Sequence, residues 1–254
     1  MNAPFATNLL GWKQNKKQLV PNMADTDNPA SIMIAARILD LLGIPRDVPT
    51  GVVDPKSGRP LERAVASYLR VQLPEHDGAR RWKVYDKPVV ISDFVQYGHL
   101  KAVDILVKRN PELRITLGRD YLIKPDVVVA LPGRAQSDPP FLHAAVSCKW
   151  TIRSDRVQNI RHENNQMIRH RRERLPHLVT VTAEPLPSRL AAIARGTGEV
   201  DAVYHIAYDA LNAGLQELVA SELVSEAQLH AWEECVGLGR VRPFSDLAPT
   251  LACW

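Results

Sequence analysis

The sequence predicts an α/β fold, a mixed central sheet of four to six strands flanked by helices, and three observations carry that expectation. Short apolar runs such as Val127-Val128-Val129 and Leu178 to Ala183 alternate along the chain with longer stretches of helical periodicity, such as Tyr208 to Leu223. The continuous valine run implies a strand buried on both faces. A chain of 254 residues with 45% hydrophobic content can close a sizeable core. No linker or internal repeat interrupts it, so residues 1–254 are expected as one domain with N-terminal additions.

The elements follow in order. Residues 1–31 are polar and irregular, with Trp12, Lys13, Lys16 and Lys17 ahead of Asn22-Met23-Ala24-Asp25-Thr26-Asp27-Asn28, and read as a charged solvated arm. Residues 31–42 form an amphipathic helix through Ile34, Ile38, Leu41 and Leu42, and residues 45–60 a loop rich in Pro, Gly and Asp. Glu62 then opens a helix to about Leu69, and residues 76–87 are a charged connection whose Lys83 and Lys87 either touch phosphate or are simply solvated. Residues 91–107 read as one helix, with His99 structural, and Asn110-Pro111-Glu112 starts a short helix ending by Gly118.

Asp120-Tyr121 leads into the strand of the valine run, and residues 132–140 are a mobile connection to a second strand, 141–149. Alternation puts Ala145, Ser147 and Lys149 on one face of that strand and Ala144, Val146 and Cys148 on the other. A helix follows from about Asp155 to Arg171, then a strand over 178–183, a turn at Glu184-Pro185-Leu186-Pro187-Ser188 and a short helix through Ile193. Gly196-Thr197-Gly198 lacks the spacing and the Lys-Ser/Thr of a phosphate loop. A strand over 200–206 holds Asp201 and His205 as structural residues, helices cover 208–223 and 227–236, and residues 243–254 are irregular.

Composition excludes several classes. No segment approaches the about eighteen apolar residues of a membrane span, and the N-terminus lacks a basic region feeding a hydrophobic one. Cys148, Cys235 and Cys253 form neither a disulfide framework nor a close-spaced zinc motif, which fits a reducing cytoplasm. The net charge of +4 permits a polyanionic partner without demanding one.

The chemistry gathers between residues 121 and 163. Asp126 stands at the start of one strand and Lys149 at the end of the next, so the two can meet at one edge of a sheet. A carboxylate and a lysine so placed are the usual equipment for metal-dependent phosphodiester cleavage: the acid binds a hard divalent cation, Mg²⁺, and the lysine sets a positive charge beside the attacking water. The pattern is PD, then (D/E)xK, except that Ser147 occupies the second acid position. The displaced acid is Glu163, three after Ile160 and four before Met167 on the apolar stripe of Val157, Ile160, Asn164, Met167 and Ile168. Glu62 likewise heads the stripe of Val65, Ala66 and Leu69, and inward-facing acids call for a partner or a metal. Arg153, Asp155 and Arg156 follow Lys149 so closely that they lie within reach of any DNA cut there, where arginine forks guanine and aspartate accepts from cytosine.

These residues resemble the Cfr10I/NgoMIV group of type II restriction endonucleases, in which the second carboxylate has moved to the following helix. The likeness rests on Pro125-Asp126, Ser147-x-Lys149, Glu163 and the run Thr151-Ile152-Arg153-Ser154-Asp155-Arg156 with Gln158-Asn159. Leu175-Pro176-His177, Thr182-Ala183-Glu184-Pro185 and Gly196-Thr197-Gly198-Glu199 extend it. It implies a restriction-endonuclease-like PD-(D/E)xK core and catalytic roles for Asp126, Lys149, Glu163, Glu62 and Ser147, with Asp126 and Glu163 on the metal. It implies base reading by Arg153, Asp155 and Arg156, and by Asp25, the nearest match to an aspartate that reads cytosine, with local spacing leaving Asp27 open. The family's glutamine before Glu62 has no counterpart near Pro55-Lys56. The implied activity is cleavage of palindromic double-stranded DNA with a CCGG core, GCCGGC cut after the first G. The implied assembly is a homodimer extending to a homotetramer, with a cognate DNA methyltransferase protecting the host site. A repair or junction-resolving nuclease of the same fold, and a catalytically inert DNA-binding protein, are the alternative readings.

Overall fold

A computed structural model describes residues 1–15, 18–46, 58–117, 121–135 and 137–253. The strands are β1 (Trp12–Asn15), β2 (Gln18–Pro21), β3 (Lys83–Tyr85), β4 (Val127–Leu131), β5 (Phe141–Lys149), β6 (His177–Thr182), β7 (Ala202–His205) and β8 (Val241–Pro243). The helices are α1 (Ala6–Leu9), α2 (Pro29–Leu41), α3 (Arg59–His76), α4 (His99–Arg109), α5 (Pro111–Leu117), α6 (Ser154–His170), α7 (Pro187–Ala194), α8 (Tyr208–Ala220), α9 (Glu226–Gly237) and α10 (Leu247–Ala252). β1 and β2 form a hairpin, and the other six strands form one sheet in the order β3-β4-β5-β6-β7-β8.

β3, β4 and β5 pair antiparallel, and β5 to β8 run parallel, so the sheet is mixed as expected. Strand alternation divides the interior in two. Val127 and Val129 of β4, with Ala144, Val146 and Cys148 of β5, enter the larger core, which also takes residues of α2, α3, α7 and α8. Val128 and Ala130, with Leu142 and Ala145, enter a smaller core built on Phe94, Tyr97, Ile123 and Met167. A buried valine run is therefore the mark of a strand with apolar cover on both faces.

The structure corrects the expected elements in five places. Residues 1–31 are not a solvated arm: Leu10, Trp12 and Met23 are buried, the Trp12 indole donates to the Ile44 carbonyl, and Asn22 bridges the backbone of Leu9 and Gly11. The helix carrying Glu62 begins earlier and runs on to His76, and β3 lies in the supposed charged connection. The single helix over 91–107 is two 3-10 turns and then α4, because Phe94 adopts an extended backbone and Gln96 is turned inward. There the Gln96 amide serves both the N–H and the C=O of Leu142. Finally, the C-terminal segment is ordered: β8 extends the sheet, and Phe244, Leu247, Ala248 and Leu251 bury one face of the closing turn and α10. Expectations for Lys16, Lys17, Pro55-Lys56, Gly118, Asp120 and Trp254 lie outside the described residues.

Candidate nuclease active site

Antiparallel pairing of β4 with β5 sets Val127 opposite Val146, so the start of one strand meets the end of the other. Asp126, just before β4, there accepts a hydrogen bond from the Lys149 ammonium at 2.7 Å and another from the Cys148 backbone N–H at 2.8 Å, both on Oδ2. The lysine and aspartate side chains keep 27% and 24% of their exposure, so the pair is sheltered but reachable. It opens on a cleft of about 390 Å³ walled by Glu62, Lys149, Trp150, Asp155, Arg156, Asn159 and Glu163, among others.

Three elements thus bring acids to one place: the lead into β4, the first turn of α3 and the middle of α6. Burial raises the Glu163 carboxyl above its ordinary range, the nearby Lys149 opposes this and the Asp126 charge adds to it. Glu62 is raised by burial and then by Asp126, with Arg59 and Lys149 opposing. Among the described residues the site is therefore short of positive charge, with Lys149 and Arg156 set against Asp126, Glu62, Asp155 and Glu163. Among the described residues no three His, Cys, Asp or Glu side chains stand close enough to chelate an ion as they lie. The donors are nevertheless all carboxylate oxygens, the kind a hard divalent cation takes. Gly58 completes the wall, and a Cβ there would fall 2.9 Å from Glu62 Oε1, so a larger residue would make that carboxylate shift.

The other expected residues separate into three groups. Ser147 is buried in register with Thr180 and does not form part of the cleft wall. Asp155 and Arg156 share the cleft with Lys149, and Arg156 braces the loop after the lysine by donating to the Thr151 carbonyl and hydroxyl at 2.8 and 2.9 Å. Arg153 turns instead to a neighbouring hollow of about 330 Å³ shared with Asp25, Asp27, Ser188 and Arg189. Its Nη2 lies 3.7 Å from Asp25 Oδ1 while its side chain stays 58% exposed.

Asp25 is only 9% exposed, and the hydrogen bond from Arg189 holds its carboxyl below the usual range, against the opposing effect of burial. The Asn28 cap of α2, which accepts from Ser31 N–H, and the Ser31 hydroxyl, which accepts from Asp25 N–H, fix this segment. Asp27 is exposed and donates its N–H to Asp25 Oδ1. Sequence periodicity does not reveal two further polar residues at the site, Glu184 and Arg189. Expected only as part of a turn, Glu184 is fully buried, and burial pushes its carboxyl up to about 7. The sole signal in the sequence was its place in the Thr182-Ala183-Glu184-Pro185 match.

A family model described as NgoMIV restriction enzyme matches residues 8–133 and 131–253. The chain belongs to the NgoMIV restriction enzyme family. The type II restriction enzyme NgoMIV of Neisseria gonorrhoeae is 35% identical over 268 residues, covering 94% of this chain and 91% of that protein. The mixed sheet between helices, with Asp126 and Lys149 at adjoining strand ends, is accordingly the PD-(D/E)xK restriction-endonuclease-like fold of the NgoMIV family.

Proposed function

We propose that this member of the NgoMIV family, a type II restriction endonuclease acting on double-stranded DNA, hydrolyses both strands of a palindrome with a CCGG core. The proposed site is GCCGGC, cut after the first G to leave a four-base 5′ CCGG overhang. The observation that carries the reading is the Asp126–Lys149 contact at 2.7 Å, which opens on the cleft shared by Glu62, Glu163, Asp155 and Arg156.

In this reading Asp126 and Glu163 would hold Mg²⁺, which supplies positive charge to the scissile phosphate and lowers the pKa of bound water. The all-oxygen donor set and the excess of acid over base fit such an ion. Lys149 is held by Asp126 so that its ammonium faces the developing negative charge, and Glu62 orients the attacking water or supports the ion. Ser147, two residues before Lys149 in β5, is the catalytic residue that the family resemblance sets beside the ion. The chain's own contribution is therefore positioning and charge, with products bearing a 5′ phosphate and a 3′ hydroxyl.

Base reading is assigned to Arg156 and Asp155 on the catalytic side, and to Arg153 and Asp25 on the α7 side, with Asp27 the exposed alternative to Asp25. A palindrome presents two equivalent half-sites, so the working form is a two-fold homodimer, extending to a homotetramer of two such dimers. The enzyme would act in the cytoplasm beside a DNA methyltransferase that protects the host site; no helix among the described residues is long and apolar enough to cross a membrane.

Selection from randomised duplexes in Ca²⁺ tests this. The wild type should enrich CCGG-centred palindromes, and Arg153→Ala, Arg156→Ala and Asp155→Ala should each lose selection at a G·C pair while keeping weak background affinity. Each arginine–guanine fork contributes about 1–3 kcal/mol of discrimination. Unchanged selection in all three variants would defeat the base-reading assignment and leave the nuclease centre standing.

A further inference from the structure

One donor in the catalytic cleft has no role in the chemistry described so far. Asp155, Asn159 and Glu163 stand four residues apart along α6, so their side chains form one row, and all three wall the cleft beside Lys149. Asp155 is assigned above to base reading and Glu163 to the ion, which leaves Asn159 between them. Asn159 is exposed, and its amide makes no hydrogen bond among the described residues. Other donors of the cleft are already engaged in part, the Lys149 ammonium with Asp126 and Arg156 Nη1 with Thr151. The contrast within the helix is plain. Five residues on, Asn164 is 2% exposed and donates to the Glu199 carbonyl, so its amide serves the fold.

Nothing local favours asparagine at this position. It is a poorer helix former than alanine, glutamate or lysine, because its amide competes with the helix backbone. A charged residue would disturb the row. Lysine would lie one turn before Glu163 and pair with it, in competition with the ion, and an acid would face a like charge one turn away on either side. A neutral amide avoids both effects and still offers two N–H donors. The row also has a direction, since the path from Glu163 to Asp155 leads from the proposed cut to the proposed CCGG core. We propose that Asn159 is a phosphate-contacting residue, donating from its side-chain amide to the backbone phosphate next to the cut on the CCGG side. Contacts of this kind fix the register of a duplex without reading its sequence. Here the contact holds the strand being cut between the base reader and the ion site. The proposal rests on the roles given above to Glu163 and Asp155.

The test is a cycle between the side chain and the phosphate. Full-length wild type, Asn159→Ala and Asn159→Asp are compared on a GCCGGC duplex and on the same duplex with a methylphosphonate in place of that one phosphate. Affinity is read by fluorescence anisotropy in Ca²⁺, and cleavage by single-turnover rates in Mg²⁺. Asn159→Ala should weaken binding of the unmodified duplex by about tenfold or more, the size of one hydrogen bond to a charged group, and slow its cleavage. On the methylphosphonate duplex wild type and Asn159→Ala should bind equally, because the oxygen that the amide meets is gone. Asn159→Asp keeps the shape and donates nothing, so it should bind no better than the alanine variant. Alanine at an exposed helical position does not unfold the chain, so the comparison reads the contact. An equal loss on both duplexes, or an alanine variant that binds within about threefold of wild type, overturns the proposal. So does an aspartate variant that cuts like wild type, since the side chain would then serve as an oxygen ligand of the ion. If wild type shows no preference for GCCGGC, the proposed function falls and takes this proposal with it; if it binds and cuts that site while the alanine loss is equal on both duplexes, this proposal alone falls.

Discussion

Lys149→Ala removes the one cation that, among the described residues, pairs with Asp126, and its two consequences differ in size. In the folded protein the ammonium donates at 2.7 Å to a carboxylate that also accepts the Cys148 N–H, with both side chains about three-quarters buried. Hydrogen bonds to charged groups contribute about 1.5–3 kcal/mol, and Asp126 keeps one of its two, so the variant should lose about 1–2 kcal/mol of stability. The loss should depend on pH. Glu62 and Glu163 already sit above their ordinary range with Lys149 opposing the rise, so removing the lysine raises them further. The folded state then holds more protons than the unfolded chain above the unfolded carboxylate pKa. The stability deficit is therefore small in acid and grows as pH rises. Cleavage should fall far more, because loss of one preorganised electrostatic group typically costs about 10²–10³ in rate, roughly 3–4 kcal/mol. Urea unfolding at several pH values and single-turnover cleavage of a GCCGGC duplex with Mg²⁺ measure the two effects separately. A variant that folds and cuts within about threefold of wild type would refute the reasoning, since no electrostatic role of that kind is so small.

Glu163→Ala should remove most activity while Glu173→Ala, at an exposed position outside the apolar stripe of α6, should leave it intact, as single-turnover rates would show. His205 is buried between the Glu184 carbonyl and the Ala207 N–H, and burial lowers its pKa to about 4. Its contribution is thus fully present above the unfolded value near 6.5 and is lost as pH falls toward 4. The stability of wild type over His205→Asn, followed by denaturant midpoints, should shrink by up to about 3 kcal/mol across that window. Three helices end in the same turn. After α2 and α9 the left-handed position is Gly43 and Gly239, but after α8 it is Glu222, at φ 56°, with Leu223 and Glu222 bonding back to Leu218 and Val219. Glu222→Gly should therefore raise stability by about 1 kcal/mol, read as a higher melting temperature, with cleavage unchanged.

What the sequence made legible depended on how local the cause was. Asp126 and Lys149 could be paired from strand order alone, because adjoining antiparallel strands bring start to end, and Glu62 and Glu163 stood out as acids on apolar stripes. β4 to β7 and α6 to α9 were near their expected places for the same reason. Where one long-range contact decides, the signal vanishes. Trp12 turns the N-terminal segment into a packed hairpin by bonding to Ile44, and Asp25 is buried by Arg189, far along the chain. Gln96 replaces a helical turn with a side-chain bridge to Leu142. Glu184 escaped for a related reason: its partners are backbone N–H groups of Ile152 and Leu186, and no periodicity marks a residue that serves backbone. The assignment of base readers came from resemblance more than from residue pattern, and the structure added that Arg153 and Arg156 face different hollows.

The most direct test of the central claim is to incubate the full-length chain with a pool of mixed-sequence duplexes and Mg²⁺, then sequence the ends produced, with a chelator-treated sample alongside. Ends should be created only in the Mg²⁺ sample, each carrying a four-base 5′ CCGG overhang with G on the other side of the cut. Ends without CCGG, or no ends under conditions in which the chain binds duplex DNA, would contradict it.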